Sequence, residues 1–514
     1  MADRLNSLDV SFLYLEESTT PMHVGSVAVF QPPDAGFDYD RLVHLIKGRI
    51  ALVPRFRQRV RWVPGGLANP VWVDDESFDV TYHVRRSALP KPGTEAQLRD
   101  LVGRIMSRQL DRTRPLWEMY LIEGLEGGRF AILSKTHHAM IDGVSAVDIG
   151  QVILDVDPEP RVISSDEWRP TREPSRVELM AAAVGDLARS PANVVDNVRT
   201  GLSDVSRTAT SVGRHMVGIA AAAITVARPT TSSPLNAEIG EQRRYGTAHA
   251  KLTDLKDIRR AHGGTVNDVV LAITAGALRA WLMTRGESVS NRSTIRAMVP
   301  VSVRSDETAT GGNRVAAFLV DLPVGEADPV VRLQRISFDM AQHKESGQML
   351  GAEAIVAIAG FAPPTLHSMG ARLGSDLSKR VYNLVITNVP GPQFPLYAGG
   401  ALMLAAYPVV PLAKGQAVSI GLTSYNGGVY FGLNADRDSM PDVDVLAQCL
   451  VDATDELKDR SKPTRRTVGH SPKAKPGAVQ STPAKRTRKS TAPKSTTRST
   501  PSGRQTRAQR RPKA

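Results

Sequence analysis

The residues best suited to chemistry form one short run, His137, His138, Asp142 and Gly143, spaced as His-His-x-x-x-Asp-Gly. A neutral imidazole, with an ordinary pKa of about 6.5, can accept a proton from a hydroxyl or an amine near neutral pH. A base positioned in this way accelerates a reaction roughly 10²–10⁴-fold. The run therefore predicts general-base chemistry, with His138 as the candidate base.

A β-hairpin is predicted to deliver the two histidines. The apolar runs Tyr120–Leu125 and Phe130–Thr136 flank the turn residues Glu126–Arg129. Because neighbouring side chains of a strand point to opposite faces, we expect His137 and His138 not to share one role or to chelate one metal ion.

Asp142 either orients a histidine or pairs with an arginine to fix the turn. Gly143 would relieve steric conflict where the strand gives way to a helix over Val144–Leu154. The alternative is purely structural: a strand end with two hydrogen-bonded histidines and an Asp N-cap.

Other catalytic devices find little support in the sequence. Ser145 lies in Gly-Val-Ser-Ala-Val, which lacks the second glycine of a nucleophile elbow. The single cysteine, Cys449, is predicted to be a small core residue, and it allows no internal disulfide. The sequence contains neither a P-loop nor a Gly-rich dinucleotide signature. Direct attack by an acceptor that His138 activates, without a cofactor or a metal ion, is the simplest mechanism.

Charge divides the chain into a body and a tail. Residues 461–514 contain 16 Lys or Arg and no Asp or Glu, which leaves 49 of the 65 basic residues and all 52 acidic ones in residues 1–460. The body is therefore slightly acidic, and the tail is predicted to be disordered because it lacks large apolar side chains. Such a tail attracts polyanions, either nucleic acid without sequence preference or anionic lipid.

Four segments are predicted along the chain. Residues 1–160 form a mixed α/β region that carries the histidines, and residues 161–235 form a helical connector, either packed on the body or resting on a lipid interface. Residues 236–459 form a second α/β region, and residues 460–514 form the basic tail. The longest uncharged apolar run, Met216–Ala227, would rise about 18 Å as a helix, too little to span a bilayer.

Local patterns predict further elements. Alternation predicts a strand over Phe78–Val84, and Thr94 with Gln97 forms a possible capping box that opens a helix. The remaining predicted elements are a helix from Thr265 to Trp281, a strand over Ile295–Val303, a hairpin of Val418–Thr423 with Val429–Leu433, and a helix over Val443–Leu457.

The histidine run resembles the motif of the bacterial wax ester synthase/diacylglycerol acyltransferase family, of the actinobacterial type. Further stretches agree in family order across residues 1–459: Leu8–Glu16, Pro21–Gly25, Val53–Arg57, Arg114–Glu118, Thr265–Asp268 and Asn388–Pro392. The tail lies outside the resemblance.

The resemblance implies an α/β fold of two chloramphenicol-acetyltransferase-like, or condensation-domain-like, halves that form a tunnel. It implies transfer of a long-chain fatty acyl group from acyl-coenzyme A to diacylglycerol, which makes triacylglycerol, or to a long-chain alcohol, which makes a wax ester. His138 would be the general base, His137 a supporting residue and Asp142 mainly structural.

Other expectations follow for residues around the site. Asn267 and Asp268 match the family's Asn-Asp element, so they either cap a helix or line the active-site wall. Trp117 is expected to be core, and Arg296 or Arg304 is a candidate partner for Asp142. We expect a cytoplasmic protein that is not secreted, has no transmembrane helix, and associates peripherally with the inner membrane or lipid droplets.

Two alternatives stay open. One is a polyketide-associated or condensation-type acyltransferase, which would take its acyl group from a carrier-protein thioester. The other is a catalytically weak protein that tethers lipid droplets or nucleic acid, with the body as a scaffold. The intact histidine motif argues against the second, and the series of family motifs argues against the first.

Overall fold

Three β-sheets organise the part of the chain that the structure describes. The computed structural model describes residues 3–140, 149–161, 168–189, 230, 233–302, 315–345 and 381–462, within one unit that spans Met1–Pro463. Its strands are β1 (Asp3–Arg4), β2 (His23–Gln31), β3 (Gln58–Arg61), β4 (Val71–Asp74), β5 (Val84–Ala88), β6 (Trp117–Leu125), β7 (Arg129–His137), β8 (Leu154–Asp155), β9 (Arg243–Lys251), β10 (Ile295–Ser302), β11 (Val315–Leu322), β12 (Leu384–Pro390), β13 (Tyr397–Ala398), β14 (Ala401–Val409), β15 (Val418–Tyr425) and β16 (Gly428–Asp436).

Helices pack against these sheets. They are α1 (Ser7–Leu15), α2 (Tyr39–Arg49), α3 (Val80–His83), α4 (Glu95–Met106), α5 (Ile149–Val152), α6 (Arg176–Arg189), α7 (Leu252–His262), α8 (Val266–Thr284), α9 (Pro329–Glu345) and α10 (Val443–Ser461). Short 3₁₀ turns occupy Ile50–Leu52, Pro54–Arg57, Pro64–Gly66, Glu126–Gly128 and His138–Met140.

The two larger sheets divide the body into halves. The N-terminal sheet has the strand order β5-β6-β7-β2-β14-β13-β8, and the C-terminal sheet has the order β11-β10-β12-β15-β16-β9. A small third sheet, β1-β4-β3, lies in the N-terminal half. Strands β10, β12 and β15 run parallel to one another, whereas β7 runs antiparallel to both of its neighbours, β2 and β6.

The boundary predicted at residue 236 does not separate the sheets. Strands β13 and β14 lie beyond it in the sequence, yet they pair with β8 and β2 in the N-terminal sheet. Strand β14 also crosses the C-terminal sheet, where Tyr430 donates to Leu404 O at 3.0 Å and Asn434 to Val410 O at 2.8 Å. The C-terminal part of the chain therefore completes the N-terminal sheet.

Local capping chemistry sets the start of two helices. Thr94 caps α4, with its side chain accepting from Gln97 N and the Gln97 side chain accepting from Thr94 N. Thr265 and Asp268 form the same reciprocal pair at the start of α8. Both capping boxes satisfy backbone N–H groups that have no partner within the helix.

Most of the remaining predicted elements occur with shifted ends. The hairpins are β6–β7 and β15–β16, the strand beginning at Ile295 is β10, and the last helix runs to Ser461. Cys449 is buried in the core, as predicted, and burial raises the pKa of its thiol. The helix predicted over Val144–Leu154, most of the 161–235 connector, and the tail beyond Lys462 lie outside the described residues.

The strand predicted over Phe78–Val84 is wrong. Asp79 accepts a hydrogen bond from Thr81 N at 2.9 Å and caps the single helical turn of α3, so β5 begins only at Val84. The alternating apolar pattern spans a helical turn and the start of a strand. The Asp79 cap favours the helical turn over the extended conformation that the alternation indicated.

Helix α8 is long and apolar enough, by length and composition, to cross a membrane, but 72% of its apolar window is buried inside the protein. Its residues pack against α7, α9 and α10 in the core of the C-terminal half. Among the described residues, this helix therefore behaves as a buried core element.

Gly103 sets how closely the two halves approach, because a Cβ there would lie 2.7 Å from the carbonyl oxygen of Arg243 on β9. We expect Gly103→Ala to push α4 away from β9 and to lower the free energy of unfolding by about 1–3 kcal/mol. Gly48→Ala is the matched control, since Gly48 is also helical but has nothing within 4 Å of its added Cβ. That change should be neutral or stabilise by up to about 1 kcal/mol. Urea unfolding measures both, and equal effects would contradict this account.

Candidate active site

The two histidines lie where β7 ends and a 3₁₀ turn begins. His137 is the last residue of β7, and it pairs across the sheet with His23 on β2. Its same-parity neighbours Ala131 and Leu133 pack on α4. The ring of His138, in the turn, stacks instead on Phe12 of α1, with centroids 3.9 Å apart. Since α1 packs on the other face of this sheet, the two rings lie on opposite sides.

A buried carboxylate, Glu16, lies beneath His137. Glu16 follows the last turn of α1, and its side chain is only 1% exposed. Its Oε1 is 3.0 Å from His23 Nε2 and accepts from Met22 N at 3.2 Å, while its Oε2 is 3.7 Å from His137 Nε2. Arg112 donates to Oε2 from two nitrogens, at 3.0 and 2.7 Å. The carboxylate thus joins α1, β2, β7 and the segment after α4.

Burial and neighbouring charges determine which of these groups are ionised. Burial by itself would raise the pKa of Glu16, but the hydrogen bond with His23, the charges of His137 and His23, and Arg112 outweigh it and lower the pKa to about 2. Burial lowers the pKa of His23 to about 4 and that of His137 to about 3, although Glu16 acts in the opposite direction on both. At neutral pH, Glu16 and Arg112 are therefore charged while both histidines are neutral.

His137 is a poor candidate for the base. Its Nδ1 accepts a hydrogen bond from Ala139 N at 3.0 Å, so the ring proton must reside on Nε2, which faces Glu16. No lone pair is left for a substrate proton. Because His138 N donates to Met22 O at 2.8 Å, His137 and the Glu16-bound Met22 fix the backbone on both sides of His138.

His138 is better placed to accept a proton. The residue is half-buried, and its Nδ1 is enclosed and has no hydrogen-bond partner among the described residues. Burial lowers its pKa to about 4, against a smaller opposite effect of its own backbone carbonyl. The ring is therefore neutral at physiological pH, and Nε2 is the nitrogen left to meet a substrate.

The C-terminal half brings together two of the family-like stretches. Asn388 on β12 donates to Asn267 Oδ1 at 3.3 Å, near the start of α8. Asp268 Oδ2 accepts from Thr265 N, which confirms a capping contribution, yet its Oδ1 is buried with no partner among the described residues. Asn267 is thus a bridge between α8 and β12, and Asp268 a cap with one spare oxygen.

The other residues singled out from the sequence fall in different places. Trp117 is fully buried, stacks on His83 and donates to Phe56 O at 2.8 Å, so it is core as expected. Arg296 pairs with Asp321 at 2.7 Å. Asp142, Gly143 and Arg304 lie outside the described residues.

Sequence reasoning missed Glu16, His23, Arg112 and Phe12. Glu16 and His23 lie within stretches that carry the family resemblance, but no chemistry was assigned to them. The available signal was one ionisable residue at the end of the largely apolar run Phe12–Glu16 and another within the short segment Pro21–Gly25.

Most of the chain matches two models of one protein family. Residues 5–270 match the model of the wax ester synthase/diacylglycerol acyltransferase catalytic domain, and residues 311–458 match that of the family's C-terminal domain. The chain is 37% identical over 464 residues to a probable diacylglycerol O-acyltransferase, tgs2, of Mycobacterium tuberculosis, covering 88% of this chain and 97% of that protein. It is 46% identical over 263 residues to tgs3 of the same species, covering 50% and 96%.

Solved structures agree with these matches. A wax ester synthase/diacylglycerol acyltransferase from Marinobacter aquaeolei VT8 superposes with a TM-score of 0.65 at 29% identity, covering 89% of this chain and 99% of that one. The first condensation domain of the CDA synthetase gives a TM-score of 0.51 at 15% identity, covering 90% and 97%, a likeness of fold alone. The two-half, condensation-domain-like fold is thereby confirmed.

The charge pattern around Glu16 predicts an acid-sensitive fold. Because the pKa of Glu16 in the folded protein lies below its ordinary value of 4.5, the stability that Glu16 contributes is complete above pH 4.5 and is lost as pH falls towards 2. We expect Glu16→Gln to lower the free energy of unfolding at pH 7 by on the order of 3 kcal/mol and to flatten its pH dependence below 4.5. Urea unfolding at pH 7, 5, 4, 3 and 2.5 measures this.

The neighbouring Glu17→Gln serves as control, since Glu17 is exposed and pairs only at the surface with Lys414. It should leave the pH profile of stability unchanged. Parallel profiles for the wild type and Glu16→Gln would refute the assignment of a buried, charged Glu16.

Proposed function

Because the chain belongs to the wax ester synthase/diacylglycerol acyltransferase family, we propose that it transfers a long-chain fatty acyl group from acyl-coenzyme A to the hydroxyl of diacylglycerol, and that it also accepts long-chain alcohols. The family match and the 37% identity over nearly the full length of a probable diacylglycerol O-acyltransferase support the reaction class. The observation that carries the mechanism is the neutral His138 at the end of β7, held by backbone bonds on both sides.

The reaction takes place in two steps. Nε2 of His138 accepts the proton of the acceptor hydroxyl while the hydroxyl oxygen attacks the thioester carbonyl carbon, which gives a tetrahedral intermediate. The intermediate then collapses, the carbon–sulfur bond breaks, and the imidazolium returns the proton to the departing thiolate. The products are an ester and free coenzyme A, and the balance calls on no metal ion and no bound cofactor.

Burial of His138 affects both its protonation state and its strength as a base. It keeps the ring unprotonated at neutral pH, so the base is always in its competent form, but it also lowers the basicity of the ring. The attacking hydroxyl therefore has to be held against Nε2 for the transfer to be efficient. The stacking on Phe12 holds the ring in one orientation for this purpose, and the enclosed Nδ1 leaves Nε2 as the nitrogen that meets the hydroxyl.

Supporting roles follow from the same contacts. His137 positions the backbone of His138 through Ala139 N. We assign the Asn267–Asn388 pair and the spare oxygen of Asp268 to the site wall contributed by the C-terminal half.

We also propose that the protein works at a lipid surface, on the cytoplasmic face of the inner membrane or on lipid droplets. Large apolar side chains are exposed on adjoining elements, and together they are called the apolar patch: Tyr14, Trp62, Leu67, Val177, Met180 and Val184. The rings of Tyr14 and Trp62 pack edge to face with their centroids 5.2 Å apart, and α6 contacts the Pro64–Gly66 turn.

The exposed residues of α6 are distinct from those that the helix buries. Helix α6 already packs Leu179 against Val71 and Val73 of the small sheet, so Val177, Met180 and Val184 form a second apolar face. Exposed Arg169 and Arg172 precede this face and suit anionic head groups. The basic tail, residues 461–514, would add attraction to the same charges.

Replacement of the base tests the reaction. We expect His138→Ala to reduce ester formation from palmitoyl-coenzyme A roughly 10²–10⁴-fold, with diacylglycerol and with hexadecanol alike, because proton removal is lost. The wild-type kcat/KM should stay flat from pH 8 down to about 5.5, because the His138 pKa lies near 4 rather than 6.5. Product formation is measured by thin-layer chromatography of radiolabelled ester.

His44→Ala is the matched control, since His44 is exposed on α2 in the same half. It should retain wild-type turnover. If His138→Ala kept full activity while folded, His138 would not be the base. Turnover only with carrier-protein thioesters would favour the condensation-type alternative, and binding of lipid or nucleic acid without turnover would favour the tether.

Polar substitution on α6 tests the lipid surface. We expect Val177→Gln/Met180→Gln/Val184→Gln to weaken binding to vesicles of phosphatidylcholine, phosphatidylglycerol and diacylglycerol by about tenfold, as buried apolar area is lost. Sedimentation with vesicles at high salt isolates this effect, because salt screens the tail. Val331→Gln/Phe338→Gln, exposed on α9, is the control and should bind as wild type. Equal binding of all three proteins would argue against the patch.

A further inference from the structure

A polar groove opens beside the histidines, at the seam between the two halves. It encloses about 440 Å³ between the end of α4 and the start of β9. Arg243 N donates to Ser107 Oγ at 2.9 Å, and the Arg243 guanidinium donates to Thr19 O, so both halves form its floor. Its lining includes Arg104, Arg108 and Gln109 from one half and Glu241 and Gln242 from the other.

Two arginines dominate the charge of this groove. Arg104 and Arg108 lie one turn apart at the end of α4, and both are exposed. Neither guanidinium forms an ion pair or hydrogen bond with the described residues, and Glu241 is the one acidic residue of the lining. The buried ammonium of Lys135 lies beneath, donating to Ile105 O and Arg108 O.

The usual role of arginine at a helix end does not account for this pair. Cations near the C-terminus of a helix stabilise its last carbonyl groups. At α4 that position is already taken by Lys135, which donates to Ile105 O in the last turn and to Arg108 O just beyond it. The arginines are thus available for an anion from outside.

The groove lies close to Glu16 and His23, the buried partners of His137, on one side of the sheet. Gln109 donates to Glu17 O at 3.0 Å, next to Glu16, and Leu110 N is 3.4 Å from His23 Nε2. Helix α4 packs on the sheet face opposite to α1, which carries Phe12 and Tyr14. The groove and the apolar patch therefore approach the end of β7 from opposite sides.

We propose that this groove binds the phosphate groups of the coenzyme A moiety of the acyl donor. The proposal rests on the acyl transfer proposed above. Guanidinium groups match phosphate oxygens in charge and in fork geometry, and coenzyme A presents a diphosphate and a 3′-phosphate at the end of a flexible arm. The donor thioester then reaches His138 from the α4 side while the lipid acceptor arrives from the α1 side.

Kinetics with two donors separate phosphate recognition from chemistry. We expect Arg104→Gln/Arg108→Gln to raise KM for palmitoyl-coenzyme A by about tenfold at low salt with kcat unchanged. The variant should use the palmitoyl thioester of N-acetylcysteamine, which lacks phosphate, as well as wild type does. Arg259→Gln/Arg260→Gln, an exposed pair at the end of α7, is the control and should match wild type with both donors.

Direct binding keeps this test independent of turnover. Titration calorimetry with coenzyme A should show about tenfold weaker binding to the groove variant than to wild type or to the control. An unchanged KM and unchanged coenzyme A affinity would overturn the proposal, as would an equal loss with both donors. If wild type made no ester yet bound coenzyme A through these arginines, the proposed reaction would fail while the groove assignment stood.

Discussion

The arrangement of the active site depends on one buried anion. A carboxylate that is almost fully removed from water is stable only when donors and a compensating charge surround it. Glu16 obtains these from Met22, His23, His137 and Arg112, which come from three separate stretches of the chain. One full positive charge balances one full negative charge, so both histidines can stay neutral. The requirement to satisfy this carboxylate fixes the ends of α1, β2 and β7 relative to one another.

His138 benefits from this network without belonging to it. Its ring contacts Phe12 rather than Glu16, so its lone pair is not consumed by the buried hydrogen bonds. The adjacent His137 has the opposite fate: its Nδ1 is occupied and its Nε2 faces the carboxylate. The two adjacent histidines therefore differ in role: His137 is structural and His138 is available to react. The difference arises because their rings lie on opposite sides of the sheet.

Features with a local cause could be predicted from the sequence. The Thr94–Gln97 capping box, the helix cap that involves Asp268 and both Gly-containing hairpins depend on residues three to ten positions apart, and all occur. The strand expected over Phe78–Val84 failed because the Asp79 cap competes with an alternating pattern. Glu16 and Arg112 could not be paired in advance, since they are 96 positions apart and only the tertiary contact of the segment after α4 with the start of β2 brings them together. The general-base role of His138 is still a prediction, now with a defined environment.

Strand β14 has a consequence for how the polypeptide acquires its structure during synthesis. Strand β2, with His23, has β7 on one edge and β14 on the other, yet β14 emerges from the ribosome some 370 residues after β2. Until then the edge of β2 presents unpaired backbone groups, the kind of edge through which nascent chains associate. Contacts this distant in sequence also form slowly. The N-terminal half should therefore mature last, after the C-terminal chain has been made, and its exposed edge is where a molecular chaperone would be most needed.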